Sequence, residues 1–338
     1  MLQKIKTWML PLAMLSGAFF YEFFQQLAFL TPYLIFSMLF ITYCKLSFRD
    51  LKFSGLHLWL LAVQVVGCLV VYGGLVWFDP VVAQGGLICV LAPTATAAAV
   101  ITGMLGGSVA CLAAYTLMSS LVVAVVSPLI FTLLGEHSDM TFWNSVLFIC
   151  RQVMPVLILP FALALFLEKA LPSLHRQLKK LQILSFYLWA LGLTIVTGKT
   201  VYFIVYQENA DITEEWWMAA LALVICVLQF ILGRRIGRRY GDPVSGGQGL
   251  GQKNTILAIW MAQVYLNPLS SIAPASYVLW QNMINSWQLW KKRKIRTEGY
   301  SIALAAGTIS SRATFVVMMF FGPGIRGLFS NTWRTRLY

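Results

Sequence analysis

Apolar stretches of about 20 residues recur almost without pause from Trp8 to Trp290, and each is long enough to cross the ~30 Å hydrocarbon core of a bilayer as a helix. The chain is 59% hydrophobic and 11% charged, whereas soluble domains carry about 25% charged residues. A soluble fold would need several wholly apolar core helices with almost no polar faces. The predicted class is therefore an all-α membrane protein.

Ten spans are predicted, at residues 8–25, 27–44, 57–77, 84–105, 108–134, 143–167, 183–205, 217–234, 246–266 and 271–290. The loops test this count. Basic clusters occur at Lys4/Lys6, Lys45/Arg49/Lys52, Arg176/Lys179/Lys180, Arg234/Arg235/Arg238/Arg239 and Lys291/Lys292/Arg293/Lys294. With the N-terminus inside, every one falls on the inside, and the acidic loops Glu136/Asp139 and Glu208/Asp211/Glu214/Glu215 fall outside. The reading is an inner- or plasma-membrane protein with both termini cytoplasmic. The net charge of +13 then serves an anionic leaflet rather than nucleic acid. The apolar stretch after Lys6 has no small-x-small cleavage site and is read as the first span, not a signal peptide.

Ten spans divide into two sets of five, residues 1–138 and 139–295, with a tail 296–338 whose structure the sequence does not decide. Five is odd, so two repeats would lie in the membrane with opposite orientation, a common build for secondary transporters. Spans 4 and 9 are then equivalents, and both look unable to run as one helix. Span 4 carries Pro93-Thr94-Ala95-Thr96 at its middle, and span 9 opens on Ser245-Gly246-Gly247-Gln248-Gly249-Leu250-Gly251-Gln252-Lys253-Asn254-Thr255. A helix broken at the midplane frees backbone groups that cost several kcal/mol each in lipid, so they must face protein, water or a ligand. The N-termini of the two second halves offer N–H groups and partial positive charge to one cavity, which favours an anion. Proline and glycine also merely kink membrane helices, so the matched pair carries the argument and Pro93 alone does not.

These segments resemble the bile acid:sodium symporter family. Pro93-Thr94-Ala95-Thr96-Ala97-Ala98-Ala99-Val100-Ile101-Thr102 is similar to that family's fourth-helix P-G-G-T-x-S-N-x-x-T. Gly251-Gln252-Lys253-Asn254-Thr255-Ile256-Leu257-Ala258 is similar to its ninth-helix G-x-Q-N-x-x-L-A, and Trp280-Gln281-Asn282 to its W-x-N. The resemblance implies a panel of spans 1, 2, 6 and 7 moving against a core of spans 3–5 and 8–10. It implies substrates such as bile acids, steroid conjugates, pantoate-like acids and keto acids. It also implies Thr96 and Asn254 as anion contacts, with Asn282 and Gln281 completing a polar lining.

The departures bear on the coupling ion. The family's two sodium ions are held by Ser-Asn in span 4, hydroxyls in span 5, Gln in span 3 and Glu and Gln in span 9. Here those positions are Ala98 and Ala99, Leu112 and Thr116, Gln64, Gly249 and Lys253. Hard cations want oxygen ligands, and most are gone, so sodium coupling is doubtful and a proton is possible. Lys253 is expected to take a lost sodium's place, donating to freed span 4 carbonyls and to Gln64 or Thr116. It would be a fixed cation or a proton carrier; the alternative is that it snorkels to the interface. Arg151 and Lys199, on panel spans, either attract an anion or snorkel outward.

The six cysteines fall within apolar spans with no CxxC or Cys/His cluster, so neither a disulfide framework nor a metal site is expected. GGQGLG lacks a preceding strand and the Walker lysine spacing, so it is no nucleotide site. The three histidines lie at loops, and the tryptophans and tyrosines fit interface belts. Phe315–Phe321 is too short to span. The leading reading is an organic-anion transporter, a monomer or weak homo-oligomer. Its rivals are a receptor on the same fold that no longer cycles and an intramembrane enzyme; the latter would need deep Asp, Glu or His residues, and none is seen.

Overall fold

The computed structural model describes residues 2–45, 53–95, 97–134, 141–206 and 212–292. Thr96, Arg49, Lys52, Glu136, Asp139, Glu208, Asp211, Arg293, Lys294 and the tail 296–338 lie outside the described residues. Residues Met1–Asn285 form one compact unit. A second begins at Ser286; its residues 286–292 are helical, with the Lys291 ammonium 5.2 Å from the Trp287 ring.

Helices occupy all ten apolar stretches. In chain order they are α1 (Leu2–Phe19), α2 (Tyr21–Gln26), α3 (Thr31–Lys45), α4 (Gly55–Leu75), α5 (Pro80–Leu91), α6 (Ala98–Leu105), α7 (Val109–Leu134), α8 (Phe142–Leu157), α9 (Leu159–Ala170), α10 (Pro172–Leu178), α11 (Gln182–Tyr206), α12 (Ile212–Arg239), α13 (Pro243–Gly251), α14 (Thr255–Tyr265) and α15 (residues 272–285). Five helical stretches are long and apolar enough to cross a membrane: Gly55–Leu75, Val109–Leu134, Phe142–Ala170, Tyr187–Tyr206 and Glu215–Arg239. Span 1 differs from expectation, starting at Leu2 and breaking at Phe20. Span 6 is divided at Ile158, where Pro155 and Pro160 each remove a helical N–H.

Spans 4 and 9 are each two short helices, and both start the same way. Asp79-Pro80-Val81 opens α5 and Asp242-Pro243-Val244 opens α13. The Asp79 carboxylate accepts from Val82 N–H at 2.7 Å, and Asp242 accepts from Ser245 N–H at 2.9 Å. A capping carboxylate followed by proline with its preset φ is a strong helix start. α5 stops because Ala92, before Pro93, turns to φ −47°, ψ 137°. α6 ends at Gly106 with φ 84°, a left-handed conformation that favours glycine.

α5, α13 and α14 are apolar or glycine-rich on every side, so they are surrounded by protein. Ala83–Leu91, Ser245–Gly251 and Thr255–Gln263 are buried throughout. Glycines let backbones meet there. A Cβ on Gly233 of α12 would strike the Gly246 carbonyl of α13, and one on Gly246 would strike that of Gly233. Outward-facing side chains such as Leu58, Val70, Trp77, Trp143, Trp216 and Trp217 are exposed apolar groups, as a lipid-facing surface requires.

Candidate functional site: a crossover of two broken helices

The breaks in spans 4 and 9 meet as an antiparallel bridge between Thr94 and Lys253. Ala95 N–H donates to the Gln252 carbonyl at 2.9 Å, and Asn254 N–H donates to the Pro93 carbonyl at 2.8 Å. Each extended segment thus supplies the hydrogen bonds that the other lost by leaving the helix.

The side chains repeat this exchange. Lys253 Nζ donates to the Val90 carbonyl at 2.8 Å, and Thr94 Oγ1 donates to the Gly249 carbonyl at 2.7 Å. Each residue therefore caps the carbonyl four places before the other. The remaining carbonyls at the end of α5 are also taken. Gln229 Nε2 donates to Cys89 O at 3.2 Å, and Gln64 Nε2 donates to Leu91 O at 2.7 Å and Ala92 O at 3.1 Å. At the end of α13, Tyr277 OH donates to Gly251 O at 2.9 Å. Gln281 brackets Lys253, accepting from its N–H at 2.8 Å and donating to its carbonyl at 3.3 Å. A helix end leaves four carbonyls without partners, and each one orphaned in a dry interior costs about 1–3 kcal/mol. A polar network in the middle of apolar helices is the consequence.

Gln64 is fixed in turn. Its Oε1 accepts from Tyr115 OH and from Ser119 Oγ, both at 2.9 Å, and Ser119 Oγ accepts Thr94 N–H at 3.4 Å. This orients the amide so that its NH₂ faces the α5 carbonyls.

Lys253 is 1% exposed. Among the described residues no Asp or Glu is buried, so no buried carboxylate faces the ammonium. A lysine at the bilayer centre costs about 2.5–3.5 kcal/mol to insert. A hydrogen bond to a charged donor returns about 1.5–3 kcal/mol, and the negative end of a helix adds about 0.3–1 kcal/mol. The carbonyl end of α5 thus offsets the cost without a counter-ion. The snorkelling alternative does not describe this side chain.

Of the residues singled out in the sequence, Gln64, Lys253, Asn254 and Gln281 meet at the crossover. Gln64 and Thr116 are not partners of the ammonium, contrary to expectation. Gln64 takes the next two carbonyls instead, and Thr116 Oγ1 donates to Leu112 O of its own helix at 2.9 Å. Asn254 Oδ1 caps α14, accepting from Leu257 N–H at 3.4 Å. Asn282 Nδ2 donates back to Val278 O at 2.7 Å. Arg151 is exposed on α8, and half-buried Lys199 lies 5.6 Å from the Phe203 ring on α11. His57 and His175, expected at loops, are instead buried in α4 and α10. Sequence reasoning missed Thr94, Ser119, Tyr115, Gln229 and Tyr277. The available signal was a hydroxyl or amide in an otherwise apolar span, which names a candidate but no partner.

The positions where the family resemblance implies sodium ligands carry other groups. Ala98 and Ala99 bring no side-chain oxygen. A Cβ on Gly249 would lie 2.9 Å from the Tyr115 ring, so the space for a carboxylate there is already filled.

A comparison with curated proteins returns no match. A comparison with protein families matches residues 32–207, described as the Sodium Bile acid symporter family. The match covers just over half of the 338 residues, from α3 to the end of α11, and includes the first of the two broken helices. The chain is a multi-pass membrane protein and belongs to the sodium bile acid symporter family of transporters.

Proposed function

We propose that the protein is a secondary transporter that moves a small organic anion by alternating access, without sodium. The frame is ten membrane helices in two inverted five-helix repeats, with both termini cytoplasmic. The observation that carries this reading is the reciprocal pair at the crossover, where Thr94 and Lys253 each cap the other's half-helix. An exchange of that form is what two segments of opposite direction produce.

Anion selectivity follows from the helix ends. Asn254 caps α14 and α6 begins at Ala98, both at the crossover, and the first turn of α6 has no side-chain cap among the described residues. Backbone N–H groups and the positive ends of two helices suit a carboxylate, sulfonate or similar group. Asn254 and Thr96 are assigned as its contacts, with Gln281 holding the Lys253 backbone next to Asn254. Sodium fits this site poorly, because positions 98, 99 and 249 bring no oxygen and the Lys253 ammonium already neutralises the α5 carbonyls. Lys253 acts either as a permanent cation or as one that gives up its proton during the cycle.

The test is uptake of labelled taurocholate, pantoate and a 2-keto acid into proteoliposomes. Saturable uptake of at least one supports transport. Saturable binding of one with no uptake under any gradient would favour a receptor, a reading that the missing sodium ligands also motivate.

A further inference from the structure

Among the described residues, a group of buried side-chain hydrogen bonds joins the helices assigned to the panel to those assigned to the core at one end of the molecule. Gln263 Nε2 of α14 donates to Val196 O at 3.2 Å and to Thr200 Oγ1 at 3.0 Å, both on α11. Thr200 Oγ1 lies 3.3 Å from Ser271 Oγ, in the 3-10 turn Pro268–Ser271 that follows α14. Tyr265 OH donates to Gln152 Oε1 of α8 at 3.0 Å, and the Tyr265 ring stacks on Phe131. Gln263, Thr200, Ser271 and Tyr265 are all buried. At the opposite end, Ser108 with Asp242, Ser245 with Ser108 and His57 with Cys111 join α4, α7 and α13 to one another.

We infer that Gln263, Thr200 and Ser271 form a closed gate at the end where α11 and α14 terminate, which the charge pattern of the loops places outside. This rests on the panel-and-core reading above. The contacts are neutral amide and hydroxyl bonds, worth little net free energy each, so they can break and be replaced by water during a cycle. Ser270 Oγ, buried beside them, has no partner among the described residues. Hydration on opening would satisfy it, which makes the closed state shallow.

Ser270→Cys is a reporter that costs no hydrogen bond. In intact cells expressing the full chain, a membrane-impermeant maleimide added outside should label S270C slowly, with the chain lacking that change as the background. Adding Gln263→Leu removes the central donor and should raise the labelling rate about fivefold, the population change expected for about one hydrogen bond. Thr200→Ser keeps the hydroxyl and should leave the rate unchanged. If Q263L does not fold, Thr200→Val tests the same contact and should also speed labelling. Equal rates in parent and Q263L, or S270C labelled in the parent as fast as in the unfolded chain, would overturn the gate. The readout needs no substrate. A gate that responds while no anion is taken up would refute the transport reading alone. Uptake in a protein whose S270C labelling ignores Q263L would refute the gate alone.

Discussion

Lys253 is the residue on which the chemistry turns. It places a charged donor on Val90 O, where the family resemblance implies a sodium ion. Lys253→Met deletes that donor and leaves the carbonyl dry, at a cost of about 1–3 kcal/mol. Thermal unfolding in detergent should show the loss, and Lys253→Gln should show less of it because the amide still donates. A K253M protein as stable as the parent would mean that the ammonium does not cap α5. Gly251 makes a second prediction at this scale. A Cβ there would run into the Phe230 ring, so Gly251→Ala should destabilise by about 1–3 kcal/mol. Combining it with Phe230→Ala should give less than the sum of the two single effects. Gly73→Ala on α4 meets only open space and should be tolerated or mildly stabilising.

At the scale of elements, the two broken helices are where sequence and structure agree most. Pro93 biases Ala92 out of the helical region, glycine-rich 244–251 is a weak helix former, and Asn254 is a good cap; each of these follows from local chemistry. The ties that make the breaks tolerable were not legible. Gln229, Tyr277 and Thr94 act on carbonyls 140, 26 and 155 residues away, and no local pattern records such a register. Thr116 and Asn282 show the converse: a hydroxyl or amide at a matching position can use its donor on its own helix. Asn254 separates capping from recognition. Asn254→Ala removes the cap of α14 and should cost about 0.5–2 kcal/mol. Asn254→Asp keeps an acceptor for Leu257 N–H, so the fold should survive in thermal unfolding. Its negative charge faces the proposed anion, and uptake should fall at least about tenfold, corresponding to about 1.4 kcal/mol. Full uptake by N254D would remove Asn254 from the binding site.

For the whole molecule, hydropathy was enough to place helices, because a helix is the one open-chain way for a segment in lipid to satisfy its own backbone. It did not reveal the divisions at Phe20 and Ile158, which leave the apolar run unbroken, although Pro155 and Pro160 mark the second. Under the proposed function, the crossover gives this chain a way to work without sodium, with Lys253 as a covalently attached positive charge. The measurement that tests this most directly is anion uptake into proteoliposomes with sodium, potassium and proton gradients imposed separately, for the parent and for K253Q. The account predicts saturable uptake by the parent at the same rate whether sodium or potassium is present, and its loss in K253Q unless sodium now restores it. Uptake by the parent that depends on sodium, or uptake by K253Q indistinguishable from the parent under every gradient, would contradict it.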